Sequence, residues 1–170
     1  ALNAHEIEGM NVFRSFVARC AECHTPPLFS NQQIAVIGMP RPKGLAFDAG
    51  AQIPSGEAML RGGFKVPSLR NVAKTAPYSH SGRFDNLHET VEFYTLGRGH
   101  AVPKDQKLTL HWHIWEPKLN AREIDRLVDF LGALTDESFK PAVPPRVPSG
   151  LKPMPLPGPD KTKPLTKETP

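Results

Sequence analysis

The sequence predicts a mainly α-helical fold with long Gly/Pro-rich loops, continued by an extended proline-rich tail. Three observations lead there. Three short polar signals each open a run of apolar residues at helical spacing. Two loop stretches, Met39 to Gly63 and Gly97 to Pro117, are crowded with residues that break regular structure. The last 30 of the 170 residues hold 10 of the 19 prolines.

Asn3 with Glu6 resembles a capping box, and Ile7, Met10, Phe13 and Val17 follow it at helical intervals. This first helix is expected to run into Cys20. Asn86 with Glu89 repeats the pattern before Leu87, Val91 and Tyr94, with Gly97 as a stop. Asn120 with Glu123 opens the clearest amphipathic helix, carried by Ile124, Leu127, Val128 and Leu131, with Gly132 close behind the stripe. Ordering the loops between these helices costs about 1–2 kcal/mol per residue, so the fold calls for an organising centre. From Pro141 onward the prolines remove backbone donors and fix φ, which favours extended polyproline-like chain over helix or central strand. The expected organisation is a domain over residues 1–140 and a Pro/Lys-rich tail over 141–170 that packs on its own domain or on a partner.

Composition excludes several classes. No apolar run approaches the roughly 18 residues of a membrane span. Two cysteines are too few for a disulfide-built secreted scaffold. The formal charge of +4 lies mostly in the tail, so a nucleic-acid surface is a poor reading of the basic balance. The chain opens on Ala1 without a signal peptide, which reads as a processed or excised start.

The chemistry sits in Cys20-Ala-Glu-Cys23-His24. A C-x-x-C-H run is the attachment pattern of c-type haem. Two thiols three positions apart reach the two vinyl groups on one porphyrin edge, and the next imidazole falls beneath the iron. A thioredoxin-type pair would need a βαβ context that the sequence lacks. A zinc site would need a second ligand pair, which only His111 and His113 could supply, and awkwardly. One covalent haem is therefore expected, and with it a periplasmic or otherwise extracytoplasmic location, because the thioethers are made outside the cytoplasm. Met39, Met59, Tyr94, His80, His100, His111 and His113 are the candidates for the other face of the iron. Spacing does not choose among them. Methionine there raises the potential, tyrosine favours ferric iron, and an empty face admits peroxide or oxygen. In His111-Trp112-His113-Ile114-Trp115 a strand-like alternation would put both histidines on one face; a solvent-facing or interface patch and a metal or second-haem ligand are both open.

The blocks Phe64-Lys-Val-Pro-Ser-Leu-Arg70-Asn71 and Thr75-Ala-Pro77-Tyr78-Ser-His80-Ser-Gly82, followed by Leu87 to Tyr94, resemble the C-terminal haem domain of the bacterial di-haem cytochrome c peroxidase/MauG family. The segments Thr25 to Ser30, Ile37 to Pro40 and Leu127 to Thr135 fit as well, so the resemblance covers roughly residues 5–140. It implies a cytochrome c-like haem domain with His24 as proximal ligand. The second ligand, a methionine in peroxidases and a tyrosine in MauG-like members, corresponds to Tyr94. It also implies that His80 lies near a haem propionate or the distal side, and that Arg70 pairs with a propionate. A calcium held by backbone oxygens of Thr75 and Pro77 is implied in the same way. The chain departs from the family pattern in having one C-x-x-C-H where the enzymes have two, and in Ser81 where the family has Asp. The resemblance implies a redox domain that relays or stores oxidising equivalents for a second haem-bearing chain or domain, in a hetero-oligomer that serves an electron-donor or substrate protein. A mono-haem electron-transfer subunit of a larger respiratory complex, and a single-haem oxygenase, peroxidase or sensor, are the alternatives.

Overall fold

A computed structural model describes residues 1–41, 44–138 and 144–151. The chain divides into two units, Ala1–Asp136 and Glu137–Pro170. The expected packing of the proline-rich tail falls largely outside the described residues.

The first unit is framed by three helices, α1 (Ala4–Phe13), α4 (Leu87–Thr95) and α5 (Ala121–Ala133). Each begins where the polar signal stands. Asn3 and Asn120 close full capping boxes with Glu6 and Glu123, satisfying two otherwise orphaned amides at each end. Asn86 accepts from the Glu89 amide, but the Glu89 carboxylate turns to the amide of Asp85, 3.4 Å away. α1 lies against α5, and the contact is so close that Gly9 abuts the Arg126 carbonyl oxygen. Phe13, Val91, Ile124, Leu127, Phe130 and Leu131 form the core beneath this crossing, together with Val72 and Tyr78 from the connecting chain. Phe13, Phe29 and Phe130 meet as three tilted rings with centroids 5.2–6.3 Å apart.

Two short helical turns, α2 (Cys20–Cys23) and α3 (Gln52–Ser55), interrupt the loops. The strands β1 (Ile34–Val36) and β2 (Gly63–Lys65) pair antiparallel, with Ala35 opposite Phe64. Thus the Met39–Gly63 stretch is not loop alone: it holds α3, a 3-10 turn over Ala58–Leu60 and the first residue of β2.

Two further expectations change. The first helix stops at Phe13 rather than running into Cys20. The Ser15 hydroxyl accepts from the Ala18 amide at 3.0 Å and Arg19 adopts a left-handed conformation (φ 54°), so the cysteines start a new turn. Gly132 lies inside α5, which continues to Ala133. Gly97, at φ 102°, does lie just past the end of α4, where a Cβ would be strained. Finally, residues 111–115 form a turn, not a strand: the Ile114 amide donates to the His111 carbonyl at 3.0 Å.

Candidate haem site

The turn α2 is too short to be stable by itself; tertiary contacts hold it. The chain leaving it loops back through Phe29 and runs beside residues 66–69. The Val66 amide donates to Gln33, the Leu69 amide to Phe29, and the Ser68 hydroxyl to Leu28. The buried Ser30 hydroxyl donates to the Val66 carbonyl at 2.7 Å. This seam has a direct consequence for His24. Its Nδ1 lies 3.0 Å from the Phe29 carbonyl and 3.1 Å from the Pro67 carbonyl. Two carbonyls can only accept, so Nδ1 carries the proton and Nε2 keeps its lone pair for a metal. Burial holds this imidazole below the ordinary histidine range, against the opposing pull of the two carbonyls, and so keeps it neutral.

Beside His24 opens a cavity of about 590 Å³, inside the roughly 300–1,000 Å³ range of cofactor sites. Cys20, Cys23, His24, His80 and Tyr94 all line it, as do Thr75 and Pro77. On α4 the stripe Leu87, Thr90, Val91 and Tyr94 faces it, which is the face expected from helical spacing. Tyr94 retains 40 % of its surface because the side chain borders the open cavity. Its phenol is pushed well above the usual range, first by burial and then by the neighbouring Cys20 and Cys23 sulfurs. A phenolate is therefore stable at this position only opposite a cation. Burial pushes the Cys20 thiol up to about 12, and burial together with Glu22 raises that of Cys23. Both cysteines are unpaired and present free sulfur to the same cavity.

The lining fits a c-type haem. It offers two free thiols and an oriented imidazole in series, an apolar wall large enough for a macrocycle and, among the described residues, no acidic side chain. Among the other ligand candidates, Met39 and His113 also reach the lining, whereas Met59, His100 and His111 do not. Met59 is 60 % exposed and His100 packs on Phe93. Arg70 is exposed and lies outside the lining. Among the described residues no group of three or more His, Cys, Asp or Glu side chains gathers as a metal site.

Sequence reasoning missed the clasp that residues 111–115 place over α2. His113 Nε2 donates to the Glu22 carboxylate at 2.8 Å. The Trp115 indole donates to the Val17 carbonyl at 3.0 Å, and its ring lies under the Arg19 guanidinium, 4.4 Å from the centroid. Arg19, His113 and Trp115 all belong to the cavity wall. Their only sequence signal was the unusual density of aromatic rings, without a partner to assign them to.

No family model matches the chain. Individual proteins do. It is 30 % identical to the cytochrome-c peroxidase IdrP1 of Pseudomonas sp., over 92 % of this chain and 47 % of that protein. It is 32 % identical to the cytochrome c551 peroxidase of Nitrosomonas europaea (85 % and 39 %), and 28 % identical to the methylamine utilization protein MauG of Methylophilus methylotrophus (72 % and 34 %). Among solved structures, a MauG-like protein associated with microbial copper homeostasis superposes with a TM-score of 0.70 at 27 % identity, covering 81 % of this chain and 49 % of that one. The diheme peroxidase BthA from Burkholderia thailandensis shares the fold with a TM-score of 0.65 at 24 % identity, over 91 % and 47 %. The chain spans about half the length of the relatives it matches. With the attachment motif, the oriented imidazole and these likenesses in hand, the chain belongs to the bacterial di-haem cytochrome c peroxidase/MauG family.

Proposed function

We propose that this chain is a mono-haem c-type redox domain that relays or stores oxidising equivalents for a second haem on a partner chain or domain. The observation that carries this reading is the pinned His24 imidazole beside two free cysteine sulfurs, all facing one apolar cavity. A haem c bound there supplies a redox-active iron. The chain's own residues do the rest. Cys20 and Cys23 tether the macrocycle through thioethers. His24 offers Nε2, while the Phe29 and Pro67 carbonyls fix its tautomer and ring orientation. Tyr94 would hold the group through its phenol oxygen, which burial otherwise keeps protonated. Leu87, Val91, Leu127 and Leu131 exclude water from the site. Thioether formation would place the protein in the periplasm or elsewhere outside the cytoplasm; among the described residues no helix is long and apolar enough to cross a membrane. A calcium on the carbonyls of Thr75 and Pro77 would stabilise the turn that leads to His80.

The relatives' greater length supports a partner haem. The assembly would be a hetero-oligomer that receives electrons from, or oxidises, another protein.

The test is spectroscopic. The mature chain should give one haem per polypeptide that survives acid–acetone extraction. Its ferric form should be six-coordinate, and Tyr94→Phe should change both the absorption and the electron paramagnetic resonance signature. Freely extracted pigment would sink the haem c reading; an unchanged spectrum in Tyr94→Phe would sink the ligand assignment alone.

A further inference from the structure

The cavity wall has a charge asymmetry that the ligand set leaves unexplained. Among the described residues it contains two permanently cationic side chains, Arg19 and Lys65, and no Asp or Glu. A haem is an apolar disc with two carboxylates on the edge remote from its vinyl groups, so a wall with cations only is complementary to it. Burying or half-burying such carboxylates without a counter-charge is costly.

The two cations are not equivalent. Arg19 precedes Cys20 directly, so it stands at the tethered edge. Its charge is already engaged: the guanidinium lies 3.8 Å from the Glu22 carboxylate, donates to the Phe16 carbonyl at 3.1 Å, and covers the Trp115 ring. Lys65 is different. It ends β2, its backbone is held by pairing with Ile34, and its side chain meets no carboxylate among the described residues. It is exposed as well as lining the cavity, which suits the solvent-facing rim of a bound disc. Arg70, the residue that the family resemblance nominates, does not reach the lining.

We infer that Lys65 is the counter-charge for a haem propionate, in place of Arg70. The inference rests on the haem reading above, and it concerns positioning and tuning of the bound group, not its attachment. A cation at the propionate edge disfavours the oxidised iron and so raises the reduction potential.

The experiment uses the mature, haem-loaded full chain and its Lys65→Gln, Lys65→Arg and Arg70→Gln variants. Covalent haem content is measured first; absence of covalent haem in the parent chain refutes the haem reading itself, and this inference with it. With haem present, Lys65→Gln should have a lower midpoint potential than the parent and a shifted propionate bending mode in the resonance Raman spectrum. Lys65→Arg should restore both, and Arg70→Gln should leave both unchanged. Identical potentials and propionate modes in Lys65→Gln and parent would overturn the assignment while leaving the haem reading intact. A shift confined to Arg70→Gln would overturn it in favour of Arg70.

Discussion

His113 and Glu22 stand 91 positions apart in the chain, yet the histidine Nε2 is 2.8 Å from the glutamate carboxylate. Glu22 lies between the two cysteines, so this bond reaches into the attachment motif itself. Both side chains are largely shielded, at 15 % and 33 % exposed, which makes the contact stronger than an ordinary surface pair.

Cutting this bond tests the clasp. His113→Ala and Glu22→Gln should each lower the unfolding free energy by about 1.5–3 kcal/mol, in the range of a charge-assisted hydrogen bond. The double variant should cost less than the sum of the singles, as read by denaturant titration of the haem-loaded protein. Strict additivity would mean that the two side chains act independently.

Two glycines should respond to alanine with opposite signs. At Gly9 a Cβ would collide with the Arg126 carbonyl and crowd the Phe130 side chain. Because backbone must shift, Gly9→Ala should cost about 3 kcal/mol, the upper end for overpacking. At Gly132 no atom lies within 4 Å of the added carbon. There Gly132→Ala should stabilise α5 by about 0.5–1 kcal/mol through helix propensity. Thermal unfolding of both variants checks the contrast.

Acid should weaken the fold through His80 and His111. His80 stacks on Phe64 at 3.8 Å, and burial lowers its affinity for a proton despite Asp48 nearby. His111 is lowered by burial and by His113 and Arg98. With both native values depressed, the unfolded chain binds more protons at low pH. The contribution is intact above about pH 6.5 and is lost as pH falls through the lower native values. Replacing His80 by Phe should flatten the decline between roughly pH 7 and 5, measured as denaturation midpoints across that range.

Removing the cofactor should loosen the domain. With both cysteines changed to serine and the chain prepared without haem, the cavity of about 590 Å³ has nothing to fill it, and its apolar wall faces water. Near-UV circular dichroism should collapse while far-UV signal from α1 and α5 persists, with dye binding to exposed apolar surface. Full retention of near-UV structure would show that the fold does not depend on a bound group.

Helix starts were legible because they depend on local chemistry. Asn3 with Glu6 and Asn120 with Glu123 need only three residues of context, and both boxes form. Gly97 marks a stop for the same reason. The end of α1 was not legible, because the break rests on the Ser15 hydroxyl and on a left-handed Arg19 whose guanidinium packs over the distant Trp115 ring. The turn at 111–115 was misread as extended for a similar reason: alternation of rings describes which residues share a face, but their hydrogen bonds run to Val36, Glu22 and Val17. At the site, Cys20, Cys23 and His24 stand together in the sequence and line one cavity, and Tyr94 falls on the expected helical face. Lys65 was overlooked because a lone lysine in a short strand carries no pattern; only the wall around it gives its charge a meaning.

The bond from Trp115 back to Val17 spans 98 positions. An unfolded polypeptide therefore presents Cys20 and Cys23 bare to whatever machinery works on them, and the door closes only when the far segment folds back.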